Sequence, residues 1–161
     1  MRTRLPASGP VLVSACLAGR ECTYQGTHRA SDDVLRLVRE GRAVLVCPEE
    51  EAGLGTPRPE AEIVAATGDD VLDGRARVMT VDGQDVTAQY LAGARIAAER
   101  ARRTGCAVAI LKARSPACGC GAIYDGSFDG TLRAGDGVAA AALRRAGVEV
   151  ITEEDVRGGN P

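Results

Sequence analysis

Six cysteines, Cys16, Cys22, Cys47, Cys106, Cys118 and Cys120, stand in this chain against a single histidine, His28. One imidazole is too few for the HExxH-type or His-rich metal sites. A Ser–His–Asp or Cys–His pair would have to draw on His28, which sits in the Gly-containing loop Tyr24-Gln25-Gly26-Thr27-His28-Arg29. The chemistry on offer is therefore that of thiolates. Soft sulfur ligands select zinc, copper(I) or iron–sulfur clusters. Three protein ligands leave one coordination position open, as catalytic rather than structural sites do. No charged and then apolar leader opens the chain and no run approaches the length of a membrane span, so a reducing cytoplasm is the expected compartment. Disulfides are rare there, and spaced cysteines read as metal ligands or reactive thiols.

These thiols are placed by a pattern that alternates strand and helix. Residues 11–15 read as a short buried strand running into Cys16, and Ala43-Val44-Leu45-Val46 as a second running into Cys47. Ala107-Val108-Ala109-Ile110-Leu111 forms a third, leading through Lys112-Ala113-Arg114-Ser115-Pro116-Ala117 to Cys118. Between them, Ser31 caps a helix with Asp32 and Asp33 in its first turn, and Gly41 ends it. Glu49 to Pro59 reads as irregular, residues 71–87 as a small hairpin turning at Asp82-Gly83, and Thr87 to Thr104 as a long helix whose Tyr90, Ala94, Ala97 and Ala101 share one face. A helix from Asp136, its N-cap, to Ala146 and a strand over 148–151 follow. Near-continuous apolar strands joined by helices call for a parallel sheet covered on both faces. The fold expected is α/β, a single domain over 1–161 with loose ends at about 1–10 and 157–161.

In open α/β sheets the carboxyl ends of parallel strands share one edge, and ligands bind in the crevice there. Cys16, Cys47 and Cys118 each follow such a strand end and so meet on one side of the sheet. Cys106 precedes its strand and falls at the opposite edge. Cys22 or Cys120 could supply a fourth ligand and close the site, and zinc remains compatible with these spacings. Other side chains have plainer assignments. His28 serves a local hydrogen bond, Arg58 between two prolines meets an anion or a surface carboxylate, and Lys112 continues its strand toward the site.

The motifs Val13-Ser14-Ala15-Cys16-Leu17, Cys47-Pro48-Glu49, Gly53-Leu54-Gly55-Thr56-Pro57-Arg58 and Leu111-Lys112-Ala113-Arg114-Ser115-Pro116-Ala117-Cys118-Gly119 resemble, in order and spacing, those of the thiouracil desulfurase family of small bacterial proteins. Ile123-Tyr124-Asp125-Gly126 and Gly135-Asp136-Gly137 extend the likeness over nearly the whole chain. It departs from the usual pattern at Ala18, where a second Leu is common, and at Ala117, often Ser. The resemblance implies a Rossmann-like α/β domain holding a [4Fe-4S] cluster on three cysteines, matching Cys16, Cys47 and Cys118, with one iron open. It also implies desulfuration of thiouracil to uracil and hydrogen sulfide, with Glu49 and Ser115 matching the catalytic carboxylate and hydroxyl.

The chemistry is coherent on the residues alone. A thiocarbonyl sulfur is soft and suits an open iron acting as a Lewis acid. Glu49, two residues from Cys47, is placed as general base for water, and Ser115, three residues before Cys118, relays a proton or bonds the ring. Sulfur departs without net electron transfer. Two other readings stay open: a thiol redox protein using Cys118 and Cys120, and a non-enzymatic zinc- or cluster-binding module. The partner expected is a small thiolated nucleobase. Nucleic acid as a polymer is disfavoured, because 20 basic residues against 22 acidic give a net charge of −2 and aromatics are only 2%, which leaves neither a basic surplus nor a stacking platform.

Overall fold

The computed structural model describes residues 5–156; of the expected loose ends, 1–4 and 157–161 lie outside them, and residues 5–10 form no helix or strand. In chain order the elements are β1 (Val11–Ser14), α1 (Asp32–Arg39), β2 (Ala43–Val46), α2 (Pro48–Glu51), β3 (Ala61–Ile63), α3 (Gly68–Leu72), β4 (Val78–Thr80), α4 (Thr87–Thr104), β5 (Val108–Leu111), β6 (Ala122–Tyr124), β7 (Leu132–Ala134), α5 (Val138–Arg145) and β8 (Glu149–Thr152). A short 3-10 helix, Ala15–Ala18, follows β1 directly.

The central sheet is fully parallel, in the order β2-β1-β5-β8. Alternation along β1 and β5 divides the core. Leu12, Ala109 and Leu111 face α4 and α5, together with Tyr90, Ala94, Ala97, Ala140 and Leu143. Val11, Val13, Val108 and Ile110 face the opposite side, where α1 adds Val34 and Leu37. Both faces are thus covered, which is why these strands carry no polar alternation. Burying each leucine or isoleucine in this way contributes about 1.5–3 kcal/mol.

Chain direction sets the site. From β1 the chain crosses to β2 on one side, and later returns to place β5 on the other side of β1. The carboxyl ends of β1 and β5 therefore flank a topological switch point, the crevice where such sheets bind ligands.

Several local expectations change. The 49–59 stretch is not wholly irregular: Glu49 to Glu51 belong to α2, with Pro48 at its first position, where the missing N–H costs nothing. The turn at Asp82-Gly83 is present, with Gly83 N–H donating to Thr80 O at 3.0 Å. However, the strand partner of β4 is β3, from outside 71–87, and part of that range is the helix α3. The glycine-rich stretch after Cys118 pairs as a second hairpin, β6 with β7. Ser31 occupies the N-cap position of α1 without a side-chain capping bond. Gly137, not Asp136, is the N-cap of α5; Asp136 instead accepts from Gly121 N at 2.8 Å and pairs with Arg144 at 2.8 Å.

Candidate active site

Beyond the carboxyl end of the sheet lies a cavity of about 470 Å³, within the range of small-molecule sites. Its wall includes Cys16, Cys22, Cys47 and Cys118, with Glu49, Arg58 and Ser115. Cys16, Cys47 and Cys118 come from three separate strand ends, as the parallel topology requires. All of the cysteines are free thiols. Cys106 takes no part in this cavity: it is buried near the amino end of β5, 3.2 Å from Thr104 Oγ1. Cys120 is committed elsewhere, its thiol donating to Val150 O at 3.3 Å and accepting from Arg144 Nη2 at 2.7 Å.

Cys47 and Cys118 are each held by a tightly packed turn. Cys47 is followed by Pro48, against which α4 lies so closely that a Cβ on Gly93 would be 2.4 Å from the Pro48 carbonyl oxygen. Only glycine permits that approach. The Cys47 N–H donates to Glu51 Oε2 at 3.1 Å, and Glu51 is clasped by Arg100 of α4 at 2.5 Å. That guanidinium, together with the Cys47 amide, holds the Glu51 carboxyl below its ordinary pKa. On the other side of the cavity, Ser115 Oγ accepts from the N–H groups of Ala117 and Cys118 at 3.1 and 3.0 Å. Gly137 fits against this turn, since a Cβ there would fall 2.6 Å from the Ala117 carbonyl. Arg114, just before Ser115, holds a positive φ of 67°, uncommon for a side chain of its size.

Burial pushes the Cys118 thiol up to about 12. The Cys22 thiol is raised to about 12 chiefly by hydrogen bonding with Cys16, and Cys47 is raised further, first by its bond with Cys22. Catalytic thiols of redox proteins are instead lowered so that the thiolate forms near neutral pH. With Cys120 turned to Val150 and Arg144, the thiol redox reading loses its second sulfur. A soft metal, where one binds such thiols, displaces their protons.

Glu49 is one of three carboxylates at the wall, with Glu60 and Glu62, and its side chain is only 16% exposed. The Tyr90 hydroxyl of α4 donates to Oε2, and Arg58 Nη2 lies 3.4 Å from Oε1. Tyr90 is buried, which with the Glu49 charge keeps its phenol protonated well above the ordinary range. Arg58 is 93% buried and pinned by the loop before it, donating to Gly55 O, to Thr56 Oγ1 and, at 2.9 Å, to Cys22 O. Its partner is thus a buried carboxylate rather than a surface one. Lys112 pairs with Glu153 at 3.1 Å, and His28 Nδ1 accepts from Ala30 N at 3.1 Å.

Sequence reasoning placed Cys16, Cys47, Cys118, Glu49 and Ser115, and the structure brings all five to the one cavity. It left Cys22 as one of two alternatives and missed the Tyr90–Glu49–Arg58 chain. Tyr90 was visible only as an apolar member of the buried face of α4. Its polar end, met by nothing else on that face, was the available signal.

A parallel α/β sheet whose switch-point crevice is lined by four thiols, with Glu49 paired to Tyr90 and Arg58 among them, defines a thiol-lined α/β enzyme class. The chain belongs to the 2-thiouracil desulfurase family, whose model matches residues 11–155. It is similar to the uncharacterized protein YbbK of Bacillus subtilis (strain 168), with 47% identity over 146 residues, covering 91% of this chain and 97% of that one. Among solved structures it is similar to the [4Fe-4S]-dependent thiouracil desulfidase TudS, at 40% identity and a TM-score of 0.80, covering 91% of this chain and 92% of that one. Among the described residues no helix is long and apolar enough to cross a membrane.

Proposed function

We propose that this chain converts a thiolated pyrimidine, thiouracil, to its carbonyl form and hydrogen sulfide, at a [4Fe-4S] cluster held by Cys16, Cys47 and Cys118. The observation that carries this is the meeting of three buried thiols, from three strand ends, with the Glu49 carboxylate, paired to Tyr90 and Arg58, in a single cavity. The donor set fits the group: soft sulfur, free of disulfides, in an enclosure that also has room for a pyrimidine. A reducing cytoplasm is where such thiols persist. When bound, the cluster supplies a soft Lewis acid, through its iron not held by these three residues, for the thiocarbonyl sulfur.

The residues around it do the proton work. Glu49 takes a proton from the water that attacks the thiocarbonyl carbon. Tyr90 and Arg58 fix the carboxylate from behind, and each carboxylate oxygen keeps a further lone pair for that water. Ser115 Oγ already accepts two backbone N–H bonds, so its single O–H is free to donate to the ring. One water is consumed, the carbon–sulfur bond gives way to carbon–oxygen, and sulfur leaves as sulfide, so no electron is gained or lost.

Glu49→Gln tests this, because it keeps the side chain's size but cannot take a proton. Sulfide released anaerobically from thiouracil, normalised to bound cluster, is expected to fall about a hundredfold to ten-thousandfold with the iron content retained. Near-normal turnover per cluster would remove Glu49 from the mechanism.

A further inference from the structure

Of the three carboxylates on the cavity wall, Glu62 is the most enclosed, at 2% exposed, and the chemistry above gives it no part. It stands in β3, against the turn that joins β6 to β7. Its Oε1 accepts from the N–H groups of Gly126 and Phe128 at 2.9 and 3.2 Å. The turn is held there by backbone as well. Ala65 N–H donates to Asp125 O at 3.0 Å, and a Cβ on Gly126 would lie 2.7 Å from Val64 Cα. Oε2, by contrast, accepts from no donor among the described residues. The sealed, unpartnered side-chain atoms of those residues are the Nε atoms of Arg58 and Arg133, so Oε2 keeps an opening, and Glu62 lines the cavity. Burial raises the Glu62 pKa, the two amide N–H groups oppose that rise, and the nearby Glu60 and Asp125 charges add to it. An enclosed carboxylate oxygen without a donor is costly, and the donor this one lacks is what a ligand can bring.

We propose that Glu62 is a specificity-determining residue, its Oε2 accepting from one of the ring N–H groups that flank the thiocarbonyl carbon of 2-thiouracil. This rests on the desulfuration reading above. The ligand class follows from the acceptor: a neutral heterocycle that presents N–H beside C=S, a stronger donor than an ordinary amide N–H. Ser115 and Glu62 then recognise opposite features of one ring, the first by giving a hydrogen bond and the second by taking one. No bond forms or breaks at Glu62, so its effect is on which base is admitted. A ring alkylated at that nitrogen brings no donor and leaves Oε2 enclosed and unpaired. Sites built around such a polar group discriminate most sharply.

The test compares 2-thiouracil with its two mono-N-methyl isomers by anaerobic sulfide release, in cluster-loaded wild type and in Glu62→Gln. The substitution keeps an oxygen for the Gly126 and Phe128 N–H groups, so the anchor of the turn survives. It sets an amide donor toward the cavity where an acceptor stood. In wild type, one isomer is expected to lose about a hundredfold or more in kcat/KM. Glu62→Gln should raise KM for 2-thiouracil about tenfold to a hundredfold, with a smaller change in kcat. The disfavoured isomer, which never used the Glu62 oxygen, should stay close to its wild-type value, so the preference collapses. A role in holding the turn alone would lower turnover of all three substrates together. Wild type that accepts both isomers as readily as 2-thiouracil overturns the proposal, whether or not the variant folds. So does a folded variant that keeps the wild-type preference. Cluster-loaded wild type that releases no sulfide from 2-thiouracil refutes the desulfuration reading itself, a separable result.

Discussion

Gly93→Ala places one methyl group between the long helix and the turn that carries Cys47 and Glu49. The added Cβ would stand 2.4 Å from the Pro48 carbonyl oxygen and 2.9 Å from its carbonyl carbon, both backbone atoms. Ordinary contact begins near 3.4 Å, so α4 and Pro48 must separate by about 1 Å, roughly the overlap that an added methylene creates in a close-packed core. Overpacking of this kind costs about 1–3 kcal/mol, against a gain of about 1 kcal/mol from replacing a mid-helix glycine. The net loss of up to about 2 kcal/mol lowers the melting temperature by up to roughly 4–8 °C in a chain of this size. Activity suffers more. Pro48 lies between Cys47 and Glu49, and Tyr90, one turn before Gly93, donates to Glu49. A displacement of about 1 Å at reacting groups costs on the order of a hundredfold. The assay pairs thermal unfolding by circular dichroism with anaerobic sulfide release per bound cluster. A variant that melts within about 1 °C of wild type and turns over normally would refute the argument that this helix contact sets the catalytic turn.

Serine at Cys16, Cys47 or Cys118 is expected to abolish iron retention after anaerobic reconstitution, whereas Cys106→Ser keeps full iron content, because Cys106 lies away from the cavity. Tyr90→Phe leaves the Glu49 carboxylate without its buried donor, and turnover per cluster should fall about tenfold as one charge-assisted hydrogen bond, worth about 1.5 kcal/mol, is lost; an unchanged rate would make Tyr90 a packing residue only. Glu51, whose carboxyl Arg100 holds below its ordinary value, contributes stability that is fully present above the unfolded pKa of about 4.5 and fades as pH falls through its lower folded value. Glu51→Gln should therefore narrow the stability gap to wild type as pH is lowered below about 4.5, measured by urea unfolding across pH. A constant gap down to pH 3 would rule out the ionised pair as its source.

The α/β class, the parallel sheet and the helix over Thr87–Thr104 were legible because long apolar runs and a sustained 3.6-residue period are decided by burial on both faces of one sheet. The thiol convergence followed from topology: residues after parallel strands share an edge whatever the strand order. The order β2-β1-β5-β8 itself was not legible, since no local pattern records which strand lies beside which. The small elements were lost for another reason. At three residues each, β3, β4, β6 and β7 carry no period, and they form only by pairing with one another, β3 with β4 and β6 with β7. Helix α3 did have a local signal, the Thr67–Asp70 capping box, obscured by the stronger Asp82-Gly83 turn nearby. Within the site, chemistry attached to a strand end could be placed. Contacts made across the interior, such as Tyr90 to Glu49 and Arg58 to Cys22, depend on packing that no spacing encodes.

That the thiols follow β1, β2 and β5 has a bearing on how the protein is made. Cys16 and Cys118 are separated by about a hundred residues of chain, and at synthesis rates of about 5–20 residues per second the last sulfur appears roughly 5–20 s after the first. Until β5 has docked beside β1, Cys118 has no fixed place, so a nascent chain offers only the thiols of its first half. Installation of an inorganic group held by all three must wait for the third parallel strand. On the proposed ligand set, whatever installs such a group would meet a nearly finished protein rather than a peptide emerging from the ribosome. Truncations that stop before β5 should make chains that accept no cofactor, however well their first half is translated.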